Sequence, residues 1–425
     1  MSKRPSICVI GLGYIGLPTA IMFASNGFRV NGCDINPAVI DLIKNKVPPF
    51  QENEFAERLN GAVESGNLFV GLEPVPSDVY IITVQTPFLK SEGTADLRFL
   101  RSALQSIKGI LKDGDLIIIE STIPPGTIDG PVSDMLKDMT GRMKLLVAHV
   151  PEHALVGKLF YELINNPRLV GGIDEESTRK AASLYRNIVK GHVIETTAKT
   201  AEMVKIMENT YRDVNIALAN ELAKYAEKTG VNIWEAIAAA NQHPRVHIHQ
   251  PGPGVGGECI AVDPLFLLNR PDLEMPLVKM GRRVNDSMPR FVVDRILDIA
   301  RESGISAPKV AVLGLSFKAN VADPRNSPSI KVCRDLVQMG IEHKAFDPLT
   351  KSGLVKFQVA SLEEGVSGAD IAAVLVDHDQ FKSISPSFIS PLMRTPIVYD
   401  TKNCLDHAAY RRSGFKTCVL GFRCA

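Results

Sequence analysis

Short apolar runs alternate with amphipathic stretches through the first third of the chain, the pattern of a parallel sheet covered on both faces. Ser6 to Ile10 reads as a buried first strand, Phe28 to Cys33 as a second, and Val79 to Val84, Leu116 to Ile119 and Lys144 to Val150 as further ones. An apolar helix joins the first two and runs to about Asn26. From Thr200 to Gly230 the period changes. Apolar residues fall three and four apart in TAEMVKIMENTYRDVNIALANELAKYAEKTG, which predicts one long helix ended by a glycine. A shorter helix, Asn232 to Ala240, follows. After Arg290 the alternation resumes, with strands at Lys309 to Leu313, His343 to Phe346, Ile371 to Val376 and Ile397 to Tyr399 and a helix at Ser329 to Met339. The expected architecture is α/β, with parallel-sheet domains at 1–197 and 301–425 joined by a central helical domain at 198–300 that contains the long helix.

The 425 residues, 45% hydrophobic and 22% charged, suffice for two or three domains and a large core. A net charge of +1 and the lack of any apolar run as long as a bilayer span give no reason to expect a nucleic-acid or membrane partner. The first strand follows the start MSKRPSICVIGLG so closely that no signal peptide is expected. Seven cysteines without C-x-x-C pairs suit reduced thiols in a cytoplasmic enzyme better than a disulfide framework or zinc site, so no metal is expected.

Between the first strand and its helix stands Gly11-Leu-Gly13-Tyr14-Ile15-Gly16, and the second strand ends at Asp34. Glycine first allows the tight turn, second admits a pyrophosphate to the backbone, and third lets helix pack on strand. The helix N-terminus attracts phosphates and the acidic residue accepts from a ribose diol, so the unit reads as a Rossmann-type dinucleotide site. A carboxylate at Asp34 repels a 2′-phosphate, and no arginine follows in Ile35-Asn36-Pro37, which favours NAD over NADP. Later strands deliver Thr86, Thr122 and the Pro151-Glu152-His153 run to the same carboxyl edge, where ligands of such sheets bind. The threonines suit the nicotinamide half or simple helix capping, and the two roles are compatible.

The run HPRVHIHQPGPGVGGECIAVDP, His243 to Pro264, is too rich in glycine and proline for a helix or strand. A loop this long inside a compact domain binds something more often than not, and small residues beside Cys259 leave room for a substrate at sulfur. Cys259 is the candidate nucleophile; the competing reading is a buried structural thiol. On the long helix, Lys205, Asn209 and Arg212 share one face. The last domain repeats the strand-glycine-helix unit without the third glycine, as GLSFKANVADPRNSP from Gly314. Lys318 and Arg325 in it are either phosphate ligands or solvated loop charges.

These blocks, with STIPPGT from Ser121, are similar over essentially the whole chain to the nucleotide-sugar 6-dehydrogenases, the family of UDP-glucose dehydrogenase. AEMVKIMENTYRDVNIALANEL and HPR…PGPGVGG are most similar to its UDP-N-acetyl-mannosamine branch. The resemblance implies a cytoplasmic homodimer, built on the central helix, that oxidises the C6 hydroxyl of a UDP-N-acetylhexosamine to a carboxylate with two NAD for bacterial or archaeal surface polysaccharide. It implies a Cys259 thiohemiacetal and thioester, oxyanion donors at Lys205 and Asn209, and Asp263, Glu152 and Thr122 to handle water and protons. His153, Arg212, His243, Arg245, Gly254, Gly256, Phe317, Lys318 and Lys402 are implied to contact the UDP-sugar, and Arg325 the NAD.

Two positions depart from the pattern: His153 stands where relatives commonly carry arginine, and Glu258 where they carry histidine. A carboxylate beside Cys259 disfavours the thiolate unless it is turned away. Alternatives are UDP-N-acetylglucosamine or UDP-glucose as substrate, and, outside enzymes, a UDP-sugar or NAD sensor without turnover. The presence of Cys259, Lys205, Asn209 and Asp263 together argues against the sensor. A simple two-electron hydroxyacid dehydrogenase has no use for the cysteine loop or the last domain.

Overall fold

Ile7–Ile10, four buried residues, pair in parallel with Val30–Cys33 on one side and Val79–Ile82 on the other. This computed structural model describes residues 4–50, 52–89, 91–152, 157–268 and 272–424. Two compact units divide the chain, Met1–Glu208 with Leu265–Asn269 and Asn209–Pro264 with Arg270–Ala425.

The sheet of the first unit has eight strands in the order Val193–Thr197, Arg168–Gly172, Leu146–His149, Leu116–Ile119, Val79–Ile82, Ile7–Ile10, Val30–Cys33, Leu68–Gly71. Its central strands are apolar at every position because both faces are covered. Ile7, Val9, Ile81 and Ile118 enter one core and Cys8, Ile10, Ile82 and Ile117 the other, the period-two alternation of a strand read out on two sides. The strand order reverses at Ile7–Ile10, which places the switch point beside Val79–Ile82. The expectation of an all-parallel sheet is corrected at one boundary, since Leu146–His149 and Arg168–Gly172 are antiparallel. The helix between them, Leu159–Asn165, has seven residues, and the chain turns back at the same sheet edge instead of crossing the face.

The second unit holds five parallel strands in the order Glu342–Phe346, Lys309–Leu313, Ile371–Val374, Ile397–Asp400, Lys416–Val419. The long helix runs over Ala198–Thr229, and Asn232 caps the next, Ile233–Ala240, by accepting from Trp234 N at 3.1 Å. A 27-residue helix, Pro276–Glu302, runs through the point after Arg290 where the pattern predicts a new α/β unit. Pro289 forfeits one helical hydrogen bond there, but it is buried between Met288 and Val292, whose packing outweighs that cost. The expectation of reduced thiols is also corrected: Cys418 and Cys424 form a disulfide, because Phe422 N donates to Val419 O and the chain folds back on its last strand.

The two sheets share a device. Gly11 N donates to Cys33 O at 2.8 Å, Leu12 N to Asp34 Oδ2 at 2.8 Å and Asn36 N to Asp34 Oδ1 at 2.8 Å. In the second unit Gly314 N donates to Phe346 O at 2.8 Å, Leu315 N to Asp347 Oδ2 at 2.6 Å and Leu349 N to Asp347 Oδ1 at 2.9 Å. A carboxylate at the end of the second strand thus ties down each glycine turn. Asp34 is half-buried and open to a ligand, whereas Asp347 is buried and also contacts the His378 ring at 3.2 Å.

Candidate active site

In the first unit the fingerprint glycines have the geometry their positions demand. Gly11 has φ +93°, and a Cβ on Gly16 would lie 1.9 Å from Gly11 O. Gly13 has nothing within 4 Å of such an atom, so the backbone is open to close approach by a phosphate. Ile15 is the N-cap of the helix Gly16–Ser25. Tyr14 packs on Phe50 and donates from its hydroxyl to Glu52 at 3.3 Å; burial, then the Glu52 charge, push that phenol well above its usual range.

Thr86 Oγ1 donates to Thr122 O at 2.5 Å, so the two threonines stand together at the carboxyl edge. Glu152 is buried, Lys205 is half-buried on the long helix, and His153 lies outside the described residues. Two carboxylates that the pattern did not single out organise this edge. Glu202, fully buried, accepts from Gly126 N at 2.5 Å and Ile128 N at 2.7 Å, latching the STIPPGT segment to the long helix. Burial pushes its carboxyl up to about 7 against those two donors. Its spacing of three and seven residues from Lys205 and Asn209 is the signal that could have found it. Glu120, at the end of Leu116–Ile119, accepts from Tyr185 at 2.5 Å and Thr19 at 3.0 Å, and no local pattern marks it.

In the second unit Cys259 is exposed and outside the disulfide. Its carbonyl accepts from Val262 N at 3.0 Å and Asp263 N at 2.8 Å, a turn that leads into the short helix Asp263–Leu267. Asn209 Nδ2 donates to Asp263 Oδ2 at 2.6 Å with both residues buried. An amide has two donor hydrogens, so one remains for an oxyanion.

The glycines before the thiol pack on a second loop. A Cβ on Gly256 or Gly257 would lie 2.8 or 2.9 Å from the Phe317 side chain, and Gly254, at φ +130°, faces Asn285 O and Pro328. Arg325 forks onto Asp323, with Nη2 to Oδ2 at 2.5 Å and Nε to Oδ1 at 2.9 Å, so its guanidinium already has an anionic partner. Lys318 is half-buried, and Lys402 Nζ lies 4.0 Å from Asp377, beside Gly252.

Arg212 lines a cavity of about 500 Å³ with Trp234, Asn241, His247 and His249. Burial, with His247 and Arg212 nearby, lowers the His249 ring below its usual pKa. His243 and Arg245 are exposed and contact each other, the side chains 3.5 Å apart. The structure thus joins Asn209 to Asp263 and packs Phe317 on the cysteine loop, and it places Arg212 in the cavity apart from these contacts.

Residues 5–189 match the NAD binding domain of the UDP-glucose/GDP-mannose dehydrogenase family, residues 199–287 its central domain and residues 311–407 its UDP binding domain. The chain belongs to that family. It is 46% identical over 420 residues to the UDP-N-acetyl-D-mannosamine dehydrogenase of Methanocaldococcus jannaschii, covering 98% of this chain and 96% of the relative. It is similar in structure to the UDP-D-ManNAc dehydrogenase of Pyrococcus horikoshii, with TM-score 0.91, 41% identity and coverage of 98% of this chain and 99% of that one. The UDP-N-acetyl-mannosamine dehydrogenase of Staphylococcus aureus gives TM-score 0.87 at 40% identity, covering 98% of both chains.

As a member of this family the protein is an NAD-dependent nucleotide-sugar dehydrogenase, and the open Gly13 backbone and the Asp34 carboxylate fit the cofactor. Among the described residues no cluster of His, Cys, Asp and Glu is arranged to hold a metal ion, and no helix is long and apolar enough to cross a membrane. The wild-type enzyme should strongly prefer NAD to NADP. Asp34→Ser removes the repulsion of a 2′-phosphate, so the ratio of kcat/KM values for NAD and NADP should fall by roughly 10²-fold. Equal wild-type rates with the two cofactors would remove this role for Asp34.

Proposed function

We propose that this dehydrogenase oxidises the C6 hydroxyl of a UDP-N-acetylhexosamine, UDP-N-acetyl-D-mannosamine above others, to the uronate through a covalent intermediate on Cys259. The observation that carries the chemistry is an exposed thiol in a glycine-rich loop, four residues from a carboxylate that the Asn209 amide holds. The names of the most similar relatives support the sugar.

NAD, when bound, supplies a two-electron hydride acceptor. In the first oxidation Lys205, or a water held by Asp263, takes the hydroxyl proton as C6 becomes an aldehyde. An aldehyde carbon offers no tetrahedral centre from which hydride can leave. The Cys259 thiolate creates one by adding to that carbon, forming a C–S bond and an alkoxide. Lys205 and the remaining Asn209 hydrogen stabilise this oxyanion, by roughly 3 kcal/mol for each well-placed donor. Departure of the second hydride leaves a thioester on Cys259. Water positioned by Glu152 and Thr122 then adds to the thioester carbonyl, the C–S bond breaks, the thiolate returns to Cys259 and the uronate leaves. Arg212, His243, Arg245, Lys318 and Lys402 supply positive or donor groups for the diphosphate and acetamido group, His153 is a further sugar-binding candidate, and Arg325 serves the NAD.

A homodimer on the long helix belongs to this reading. Tyr211, Leu218 and Tyr225, seven residues apart, are exposed on one face of that helix, an apolar stripe suited to a second copy. The product, a charged activated sugar, suits cytoplasmic synthesis of bacterial or archaeal surface polysaccharide.

A panel of UDP-sugars with NADH and product mass measured together tests the assignment. UDP-N-acetylmannosamine should show the highest kcat/KM and release two NADH per sugar. A site built around the acetamido group can reject UDP-glucose by up to ~10⁴-fold. Faster oxidation of UDP-glucose or UDP-N-acetylglucosamine would overturn the sugar, and an aldehyde product with one NADH would overturn the covalent route.

A further inference from the structure

Cys259 carries an ionisable neighbour in the chain, Glu258, and both residues are exposed. Two like charges on adjacent side chains of a turn oppose each other, so a carboxylate free to swing toward sulfur costs thiolate. The structure gives that carboxylate a partner on another loop of the same unit. Asn326 Nδ2 donates to Glu258 Oε1 at 3.0 Å and to Gly257 O at 3.2 Å. Gly257 N in turn donates to Arg325 O at 3.0 Å. The segment from Asp323 to Asn326 is therefore laced to the cysteine loop at three points.

Asn326 itself sits at φ +50°, a left-handed conformation that asparagine adopts more readily than most residues. A Cβ on Gly256 would lie 2.9 Å from Asn326 O, so the two loops touch through backbone where only glycine fits. Among the described residues, the charged groups on the loops that meet here are Glu258 and Asp263 on the cysteine loop and Lys318, Asp323 and Arg325 on the facing one, with Asp263 held by Asn209 and Asp323 by Arg325. Arg325 feels Asp323 most strongly, and Glu258 and Cys259 after it.

We propose that Asn326 is a positioning residue for Cys259: by holding Glu258 on its amide it keeps that carboxylate from the sulfur, so that Cys259 ionises in the field of Arg325. The inference rests on Cys259 being the nucleophile. It accounts for how this chain accommodates a glutamate directly before its nucleophile: the amide that holds the carboxylate lies 68 residues away in sequence.

Iodoacetamide alkylation of Cys259 in the full-length protein, followed by peptide mass spectrometry as a function of pH, reads the thiolate without any sugar. Asn326→Gly deletes the amide at a backbone angle that glycine adopts without strain. Its alkylation midpoint should rise by about 0.5 to 1 pH unit, a roughly three- to tenfold slower reaction at neutral pH. Asn326→Asp keeps the left-handed turn while replacing the donor with a carboxylate, and should raise the midpoint at least as far. Adding Glu258→Gln to Asn326→Gly should return the midpoint to the wild-type value, which a merely structural role for Asn326 would not do. An unshifted midpoint in both single variants, or no rescue by Glu258→Gln, would overturn the proposal. Full turnover by a Cys259→Ser variant would instead remove the nucleophile reading and leave the thiol titration as measured.

Discussion

Cys259→Ser should lose uronate formation by at least about 10³-fold, the scale on which removal of a covalent nucleophile is felt, while UDP-sugar affinity stays within a few-fold. Serine is nearly isosteric, and Cys259 is exposed, so the substitution opens no cavity and leaves the Asn209–Asp263 hydrogen bond in place. What it removes is chemistry. A thiol ionises near neutrality and leaves readily from a tetrahedral carbon, whereas a serine hydroxyl does neither without a base to activate it. Steady-state NADH formation, calorimetric titration with UDP-sugar and intact-protein mass after incubation with substrate and NAD should be measured together. The mass measurement distinguishes an idle site from one trapped as an ester. Wild-type turnover in the variant would make Cys259 structural and end the covalent mechanism.

Asp347→Ala should cost roughly 3–5 kcal/mol, the range for removing one member of a buried charged network. Asp347 accepts from Leu315 N at 2.6 Å, Ser316 N at 3.0 Å, Leu349 N at 2.9 Å and Thr350 N at 3.0 Å. The His378 Nδ1 accepts from Asn320 N at 2.9 Å, which leaves the proton on Nε2, facing Asp347. Alanine would strand these donors in a buried turn. Burial opposes ionisation of Asp347, yet the His378 ring and the backbone donors of Leu315, Leu349 and Ser316 overcome it and hold the carboxyl far below the usual carboxylate range.

The sign follows from that depression. A folded-state pKa below the unfolded value adds stability that is fully present above about pH 4 and is lost as the pH falls through the folded-state value. Urea denaturation of wild type and Asp347→Ala at pH 7 and again near pH 3 should therefore show the gap between them narrowing in acid. An equal gap at both pH values would show that Asp347 acts without its charge.

Much of the fold was legible because each sheet repeats one local grammar. In the first unit strand, glycine turn, helix and acidic strand end lie within about 30 residues, so Gly11 to Asp34 announces itself; in the second the turn at Gly314 was legible, but Asp347, the carboxylate that ties it down, was not. The long helix was legible from its period, and the cysteine loop from its lack of one. Pairings between distant segments were not. The antiparallel return at Arg168–Gly172 depends on how short a connecting helix is, and the Cys418–Cys424 bridge on a fold-back with no spacing signature. Glu202 meets Gly126 across 76 residues, and Glu258 meets Asn326 across 68, so no window along the chain holds both partners. The new α/β unit expected after Arg290 starts later, because the helix Pro276–Glu302 runs on through a buried Pro289.

The segment that carries the disulfide also bears on the order in which the protein can assemble. Trp234 Nε1 donates to Leu420 O at 2.8 Å, Ile233 N donates to Gly421 O at 3.1 Å, and Gly421 N donates to Glu227 at 2.9 Å. A Cβ on Gly421 would come within 2.2 Å of Ile233, so the fit admits no larger residue. All eight strands of the first sheet lie before Ala198, and that sheet can form while the ribosome is still translating the rest. The helix that begins at Ile233 has no such freedom. Its tertiary anchors are synthesised almost two hundred residues later, so the nascent chain must carry the helices around Trp234 without these partners through much of its synthesis. That interval is when the second unit is most exposed to aggregation and most in need of a chaperone.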